Sequence, residues 1–329
     1  MNAPDVGILS AAYFLPKKKK SIKEVFLEEE SKFTNEIALQ IGIKYVHIYD
    51  GKDPSEMALK ASELALSEAG ISSSTIDVII DYSVLPQKYV EPAWSMSNEI
   101  QYKLAAKNAF TLGFSGGGST NFHVALKFAT SLIQADSEIN TILLMASDKT
   151  IPKNRLINQD NPITVLSDAA GAVILHKKAP DNTVLDTCLL SDGNLHDISY
   201  VRGGGIANPV RLDLYKMTID RRKYAPEKVM MHLKQLVNKI LSKHSLRLGD
   251  IKYFLYPNVS HEDQNNYITT FNIKNDICAN NRAQYGHIQA TDFVFNYLQL
   301  QEMDLEKGDY ILMLSHGMGY LAGVTLIKY

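Results

Sequence analysis

Cysteine is scarce in this chain. Its 329 residues include two, Cys188 and Cys278, whose spacing fits neither a metal motif nor a disulfide framework. Both read as buried thiols of a reducing compartment, and no metal site is expected. No run reaches the roughly 20 apolar residues needed to cross a bilayer. The amino-terminal stretch lacks the basic, apolar and small-residue order of a secretory signal. Neither sign of charge dominates: the net charge of −2 gives no electrostatic ground for nucleic acid or an anionic membrane. The one dense basic run, Lys17-Lys18-Lys19-Lys20, follows Pro16 and reads as a solvated loop. Low-complexity tracts are missing as well. A soluble, cytoplasmic protein is the expectation, and 45% hydrophobic with 21% charged residues is the balance of a globular fold.

What is present is an alternation of strand and helix patterns. Val6–Leu15 reads as a strand. Asp53-Pro54-Ser55-Glu56 is a helix start, with Asp53 as N-cap, Pro54 at the first helical position and Glu56 closing a capping box. That helix stops at Gly70. Strands are predicted over Ile76–Tyr82, Ala109–Phe114 and Thr141–Ala146, with helices over Ala93–Leu104 and Thr120–Ala135. The order then repeats: helix Pro226–Ser245, strand Ile251–Tyr256, helix Asp292–Leu300, strand Tyr310–Leu314. Ala170-Gly171-Ala172-Val173 is echoed by Ala322-Gly323-Val324-Thr325, a shift of 322 − 170 = 152 residues. Continuous apolar strands between amphipathic helices predict an α/β fold with sheets covered on both faces. The repeat predicts duplicated βαβ halves, residues 1–176 and 177–329, divided at the polar connector His176–Asp181.

One corner carries chemistry. In AFTLGFSGGGSTNFHVALKFA a strand runs through glycines into a helix. A nucleophile at such a corner is projected outward, and the first helical N–H groups point at whatever binds there. Ser119 is the nucleophile candidate and Ser115 its rival. A serine needs a general base where a thiol is already partly ionised. His196 and His261 are secondary acid–base candidates. Gly203-Gly204-Gly205 reads as a surface turn rather than a phosphate nest, and Asp168 as a structural turn residue.

Four stretches together resemble the ketoacyl-ACP synthase III family over essentially the whole chain. They are GIKYVHI with the following DPSEMALKASELALSEAG and IDVIIDYS; AFTLGFSGGGSTNFHVALKFA; LSDAAGAVILHK; and GDYILMLSHGMGYLAGVTLIKY. The resemblance implies a thiolase fold in αβαβα layers, with the nucleophile in the first half and its partners in the second. It implies an acyltransferase that takes acyl-CoA or an acyl carrier protein thioester as substrate, with no bound cofactor, in fatty acid or polyketide biosynthesis. It also implies a dimer, of two copies or with a related chain.

The family pattern of a Cys-His-Asn triad is altered here. The gapless match of the following helix puts Ser119 in the cysteine slot. Asn258, in Pro257-Asn258-Val259-Ser260-His261, falls in the histidine slot, and His287, in Tyr285-Gly286-His287-Ile288-Gln289, falls in the asparagine slot. Asp292 follows five residues later. Ser119, His287 and Asp292 would form a serine-type triad, with the carboxylate fixing the imidazole. Within one helix, residues five apart point about 140° apart, so His287 must lie in the loop and Asp292 in the first helical turn. The GH-x₄-D run resembles a serine-using subset that loads polyketide starter units. Asn258 would donate its amide to the substrate, and the backbone N–H groups of Ser119 and Met318 would form the oxyanion hole. Glu36 and Gln40 stand where the family often holds adenine, and Glu262-Asp263 where it places a basic docking residue. The two other outcomes consistent with the residues are a catalytically silent partner subunit and a thioester hydrolase.

Overall fold

The computed structural model describes residues 4–84, 95–204, 206–220, 222–274, 276, 278–317 and 319–329. Strand β1 (Val6–Phe14) leads to the antiparallel pair β2 (Lys18–Ser21) and β3 (Tyr45–Ile48), with helices α1 (Ile22–Glu28) and α2 (Asn35–Ile41) between them. Next come α3 (Pro54–Ala69), β4 (Val78–Asp81), α4 (Met96–Lys103), β5 (Phe110–Gly113), α5 (Asn121–Ala135) and β6 (Thr141–Asp148). The short pair β7 (Leu156–Ile157) and β8 (Thr164–Val165) precedes β9 (Ala169–Lys177). After β10 (Thr183–Ser191), a pair β11 (Ser199–Val201) and β12 (Met217–Ile219) leads to α6 (Pro226–Lys243), β13 (Ile251–Leu255), α7 (His261–Phe271), α8 (Cys278–Tyr285) and α9 (Asp292–Leu300). Strands β14 (Tyr310–Gly317) and β15 (Leu321–Lys328) complete the described elements.

The large sheet runs β13-β14-β15-β10-β1-β9-β6-β4-β5. Outward from β1, the pairings are antiparallel to β9, antiparallel to β6, then parallel to β4 and β5. Outward from β10 they are antiparallel to β15, antiparallel to β14 and parallel to β13. The two runs therefore share one topology and join where Gly7 pairs with Thr183. Helix α3 covers the first run and α6 the second, while α5 and α9 lie between them. This is the layered thiolase arrangement. The middle helices show why: α9 is buried over its first six residues, and α5 buries Phe122, His123, Leu126, Ala129 and Ile133. Helices apolar on most faces find no solvent side and settle between layers. Phe122 and Phe293 stack across the centre at 5.3 Å.

The repeated Ala-Gly pairs have a steric cause. A Cβ on Gly171 in β9 would lie 2.9 Å from Thr291 and Val294 at the start of α9. A Cβ on Gly323 in β15 would lie 2.8 Å from Thr120 and 2.9 Å from His123 at the start of α5. Each run of strands thus has a glycine that admits the helix leading out of the opposite run.

Three local expectations change. The lysine run is not a loop: Lys18–Ser21 pairs with Tyr45–Ile48, and Lys18 and Lys20 meet Asp50 and Glu28. Asp53 caps α3 by accepting from the Ser55 N–H at 2.9 Å, but no capping box forms, because the Glu56 carboxylate takes the Tyr49 hydroxyl. The fourth helix begins at Met96, and the residues before Ser95 to which its expected start belonged lie outside the described residues.

Candidate active site

The corner after β5 is shaped by glycines. Gly116 and Gly118 take φ of +98° and +57°, left-handed values that favour glycine. A 3₁₀ turn over Gly118–Thr120 then leads into α5 at Asn121. The Asn121 amide ties the loop down: Oδ1 accepts the Gly117 N–H at 2.8 Å, and Nδ2 reaches the carbonyls of Tyr82 and Ser83 at 3.2 Å. From the other side, Thr120 Oγ1 lies 2.9 Å from Ser315 Oγ on β14. Gly317, at the end of that strand, presses on the loop so closely that a Cβ there would sit 1.7 Å from the Gly117 carbonyl oxygen. Ser119 is held in this turn with 7% of its surface exposed, and no described residue hydrogen-bonds its hydroxyl. Ser115 lies on the exposed outer side of the same loop.

His287 stands in a loop, not in a helix. Gly286 turns the chain with φ +73°, where a Cβ would meet Val46 at 2.9 Å. The His287 N–H donates to Val165 (3.1 Å), and its carbonyl accepts from Ser167 (3.0 Å), so the residue is clamped to β8 and the segment after it. A 3₁₀ turn, Gln289–Thr291, then sets Asp292 as the first residue of α9. This is the arrangement that the five-residue spacing required. His287 Nδ1 lies 2.6 Å from Asp292 Oδ2. The same oxygen accepts the Asn258 N–H at 2.7 Å, and Oδ1 accepts the Ile288 N–H at 2.9 Å. Asp292 is fully buried, and three donors around a carboxylate keep it an acceptor. The network assigns the imidazole proton to Nδ1 and leaves Nε2 as the basic nitrogen. The turn bearing Ser119 packs directly against the turn Gln289–Thr291 and against β14. No hydrogen bond joins Ser119 to His287 among the described residues; such contacts commonly close only when substrate is bound.

Asn258 is wholly buried in the loop that follows β13. Its amide is turned to Asn296, with both oxygen–nitrogen pairs at 3.4 Å, so its present contribution to the site is the backbone N–H given to Asp292. Asn296, which also accepts from Asn281 at 2.8 Å and donates to the Tyr256 carbonyl at 2.8 Å, was not foreseen. The signal was there: it is one turn after Asp292 in the apolar helix DFVFNYL, on the same face.

Met318 lies outside the described residues, as does Gly205. The N–H groups of Gly203 and Gly204 are taken by the Leu214 and Asn208 carbonyls, so these two do not present an anion nest. His196 is exposed, with Nδ1 3.1 Å from the Gly193 carbonyl. His261 is the exposed first residue of α7, its Nδ1 3.2 Å from Gln264. Neither joins the His287 group. Gln40 meets Glu262 at 2.9 Å, linking the two places where the family pattern departs, and Glu36 is exposed. Asp168 is structural and buried: Arg155 holds it with two contacts of 2.8 and 2.9 Å, and the Tyr49 and Thr150 N–H groups add two more. Cys188 is buried and free of a disulfide, while the side chain of Cys278 lies outside the described residues. Among the described residues no group of His, Cys, Asp and Glu has metal-site geometry, and no helix is long and apolar enough to cross a membrane.

Comparison with known proteins agrees with this architecture. Residues 117–193 match the family of 3-oxoacyl-[acyl-carrier-protein (ACP)] synthase III, and residues 241–329 match the C-terminal region of the same enzymes. A β-ketoacyl-[acyl-carrier-protein] synthase III of Ehrlichia canis is 33% identical over 251 residues, 75% of each chain. Among solved structures, the acyltransferase ChlB3 superposes with a TM-score of 0.84 at 21% identity, over 99% of this chain and 98% of that one. The priming β-ketosynthase of a polyketide pathway superposes with a TM-score of 0.84 at 17% identity, over 99% and 97%. The fold is that of the thiolase superfamily. The chain belongs to the 3-oxoacyl-[acyl-carrier-protein] synthase III family and is an acyl-transferring enzyme.

Proposed function

We propose that the enzyme works through an acyl-serine. Ser119 attacks the carbonyl carbon of an acyl thioester carried by coenzyme A or by an acyl carrier protein. His287 Nε2 takes the serine proton and returns it to the departing sulfur, and Asp292 steadies the imidazolium between these events. The N-terminal half, residues 1–176, supplies the nucleophile; the C-terminal half, 177–329, supplies the base and its carboxylate. The Ser119 amide serves as one oxyanion donor and that of Met318 as the other. Asn258 would reach the substrate carbonyl only by turning from Asn296. Ser115, His196 and His261 are left without a part in acylation.

The observation that carries this reading is the 2.6 Å contact between His287 Nδ1 and the triply held Asp292. A Cys-His-Asn site has no use for such a carboxylate, whereas a serine nucleophile does. The likeness to a priming ketosynthase and to an acyltransferase supports specialised acyl transfer, such as starter-unit loading in polyketide synthesis. The enzyme is expected to act as a dimer: β5 is an edge strand with Phe110 half exposed, open to pairing with a second chain.

The test is intact-mass measurement after exposure to short acyl thioesters of coenzyme A and of carrier protein. An acyl adduct on the wild-type chain that vanishes in Ser119→Ala is the expected result. No adduct with any donor would leave a silent partner subunit, and thioester turnover without an acceptor would make the protein a hydrolase.

A further inference from the structure

On the outer side of the Gly116–Gly117 wall is an open pocket of about 340 Å³, near the lower end of the range of about 300–1,000 Å³ for small-molecule sites. Phe114, Val124 and Leu321 give it an apolar body, and Tyr320 closes one side. Gly117 is two residues from Ser119, a chain distance of at most about 7 Å, so a molecule in this pocket is next to the nucleophile turn. The triad uses none of the polar groups here.

Tyr320 has a polar chain behind it. Its phenol oxygen lies 3.2 Å from His232 Nδ1, and the two rings are 5.5 Å apart. His232 Nε2 faces Asp192 Oδ2 at 3.9 Å. Asp192 is held as a carboxylate by Lys228 at 2.7 Å and by the N–H groups of Asn194 at 3.0 Å, and these contacts bring its pKa down to about 2. His232 and Tyr320 are more than nine-tenths buried, while Asp192 reaches the surface beside Lys228. Burial and the neighbouring Asp192 push the Tyr320 phenol above its ordinary pKa, so it stays protonated and acts only as a link.

We propose that this pocket binds the acyl acceptor, a small alcohol or amine with an apolar body, and that Tyr320, His232 and Asp192 form the relay that removes its proton. The proposal rests on the acyl-serine reading above. The acceptor gives its O–H or N–H proton to the Tyr320 oxygen as the Tyr320 proton moves to His232 Nδ1. His232 becomes an imidazolium opposite Asp192 and later returns the proton to solvent there. The acceptor lone pair forms the new bond to the acyl carbon. The Ser119 Oγ–acyl bond breaks, and the serine oxygen takes a proton delivered from water through His287. A carbanion acceptor formed by decarboxylation has no such proton to give, so a proton sink here favours O–H and N–H acceptors. Tyr320 touches the acceptor and is catalytic; His232 acts through it and is a positioning residue.

The test separates loading from transfer. The full chain is loaded with the butyryl thioester of N-acetylcysteamine, the acyl adduct is followed by intact mass, and n-butanol is added as the acceptor probe. Tyr320→Phe keeps the ring and removes only the hydroxyl; His232→Gln keeps a hydrogen-bond acceptor and removes the base. Both are expected to load at the wild-type rate and to lose butyl butyrate formation on the order of 10²-fold, with the double variant no worse than either single one. Equal butanolysis by wild type and Tyr320→Phe overturns the relay, as does a wild-type adduct that butanol leaves untouched. If both variants lose loading and transfer alike, the pair is structural and the proposal falls. Absence of any adduct on the wild-type chain strikes the acyl-serine reading itself, and the relay falls with it.

Discussion

Replacing Asp292 by asparagine changes one atom and leaves no acceptable arrangement. The carboxylate accepts from three donors: His287 Nδ1 and the Asn258 N–H at one oxygen, the Ile288 N–H at the other. An asparagine offers one oxygen and one NH₂ group. With the oxygen toward His287, the NH₂ faces the Ile288 N–H, and two buried donors oppose each other. With the amide flipped, the NH₂ faces His287 and the Asn258 N–H. His287 must then move its proton to Nε2, the nitrogen proposed to receive the serine proton. Either way a buried donor is orphaned, at about 1–3 kcal/mol. The flipped form also disables the base, lowering acylation by roughly 10²–10⁴-fold, or about 3–5 kcal/mol of barrier. Acylation is read as the rate of mass gain with a short acyl thioester, and stability by urea unfolding of the same samples. Asp292→Asn should lose both. A variant that acylates within threefold of wild type, while showing the stability loss, would refute the role given to the carboxylate.

Two further outcomes follow from burial. His123 is enclosed beside Phe293, with Nδ1 on Thr325 at 2.7 Å, and burial pushes its pKa from 6.5 down to about 3. Between those values the unfolded chain takes up a proton that the folded chain refuses. Its contribution to stability is therefore full above pH 6.5 and declines as the pH falls to about 3, by roughly 5 kcal/mol in all. His123→Gln should flatten the acid limb of a urea-midpoint against pH curve; an unchanged slope refutes this. Gly317→Ala should cost at least about 3 kcal/mol, because its Cβ would lie 1.7 Å from a backbone oxygen. Gly308→Ala, with nothing within 4 Å of its Cβ, should cost only the strain of its positive φ, about 1–2 kcal/mol. Equal melting temperatures for the two alanine variants would contradict the packing.

Much of the site was readable because its key relations are local. The proline and aspartate before α3 mark its start, and Gly70 its end. The interval from His287 to Asp292 states its own condition, that one residue stand in a loop and the other open a helix, and both do. The glycines before Ser119 announce a tight corner wherever they occur. What could not be read depends on distant pairings. The Tyr320 phenol meets His232 across 88 residues of chain, and Asn258 meets Asn296 across 38. No periodicity encodes either contact; the sheet order creates both. The capping box failed for a related reason, since Tyr49, seven residues before Glu56, competes for its carboxylate. A local rule held until a neighbour offered the same group a second partner.

The press of Gly317 on the Gly117 carbonyl concerns main chain alone. It sets where the corner stands without regard to what side chain stands on it. The scaffold thus behaves as a socket, in which position is fixed by one half of the molecule and content is chosen by the other. A lineage can change the occupant of position 119 without rebuilding the mount, provided a suitable base appears opposite. The glycine that makes this freedom available is itself the one, among the described glycines, whose added Cβ would collide hardest.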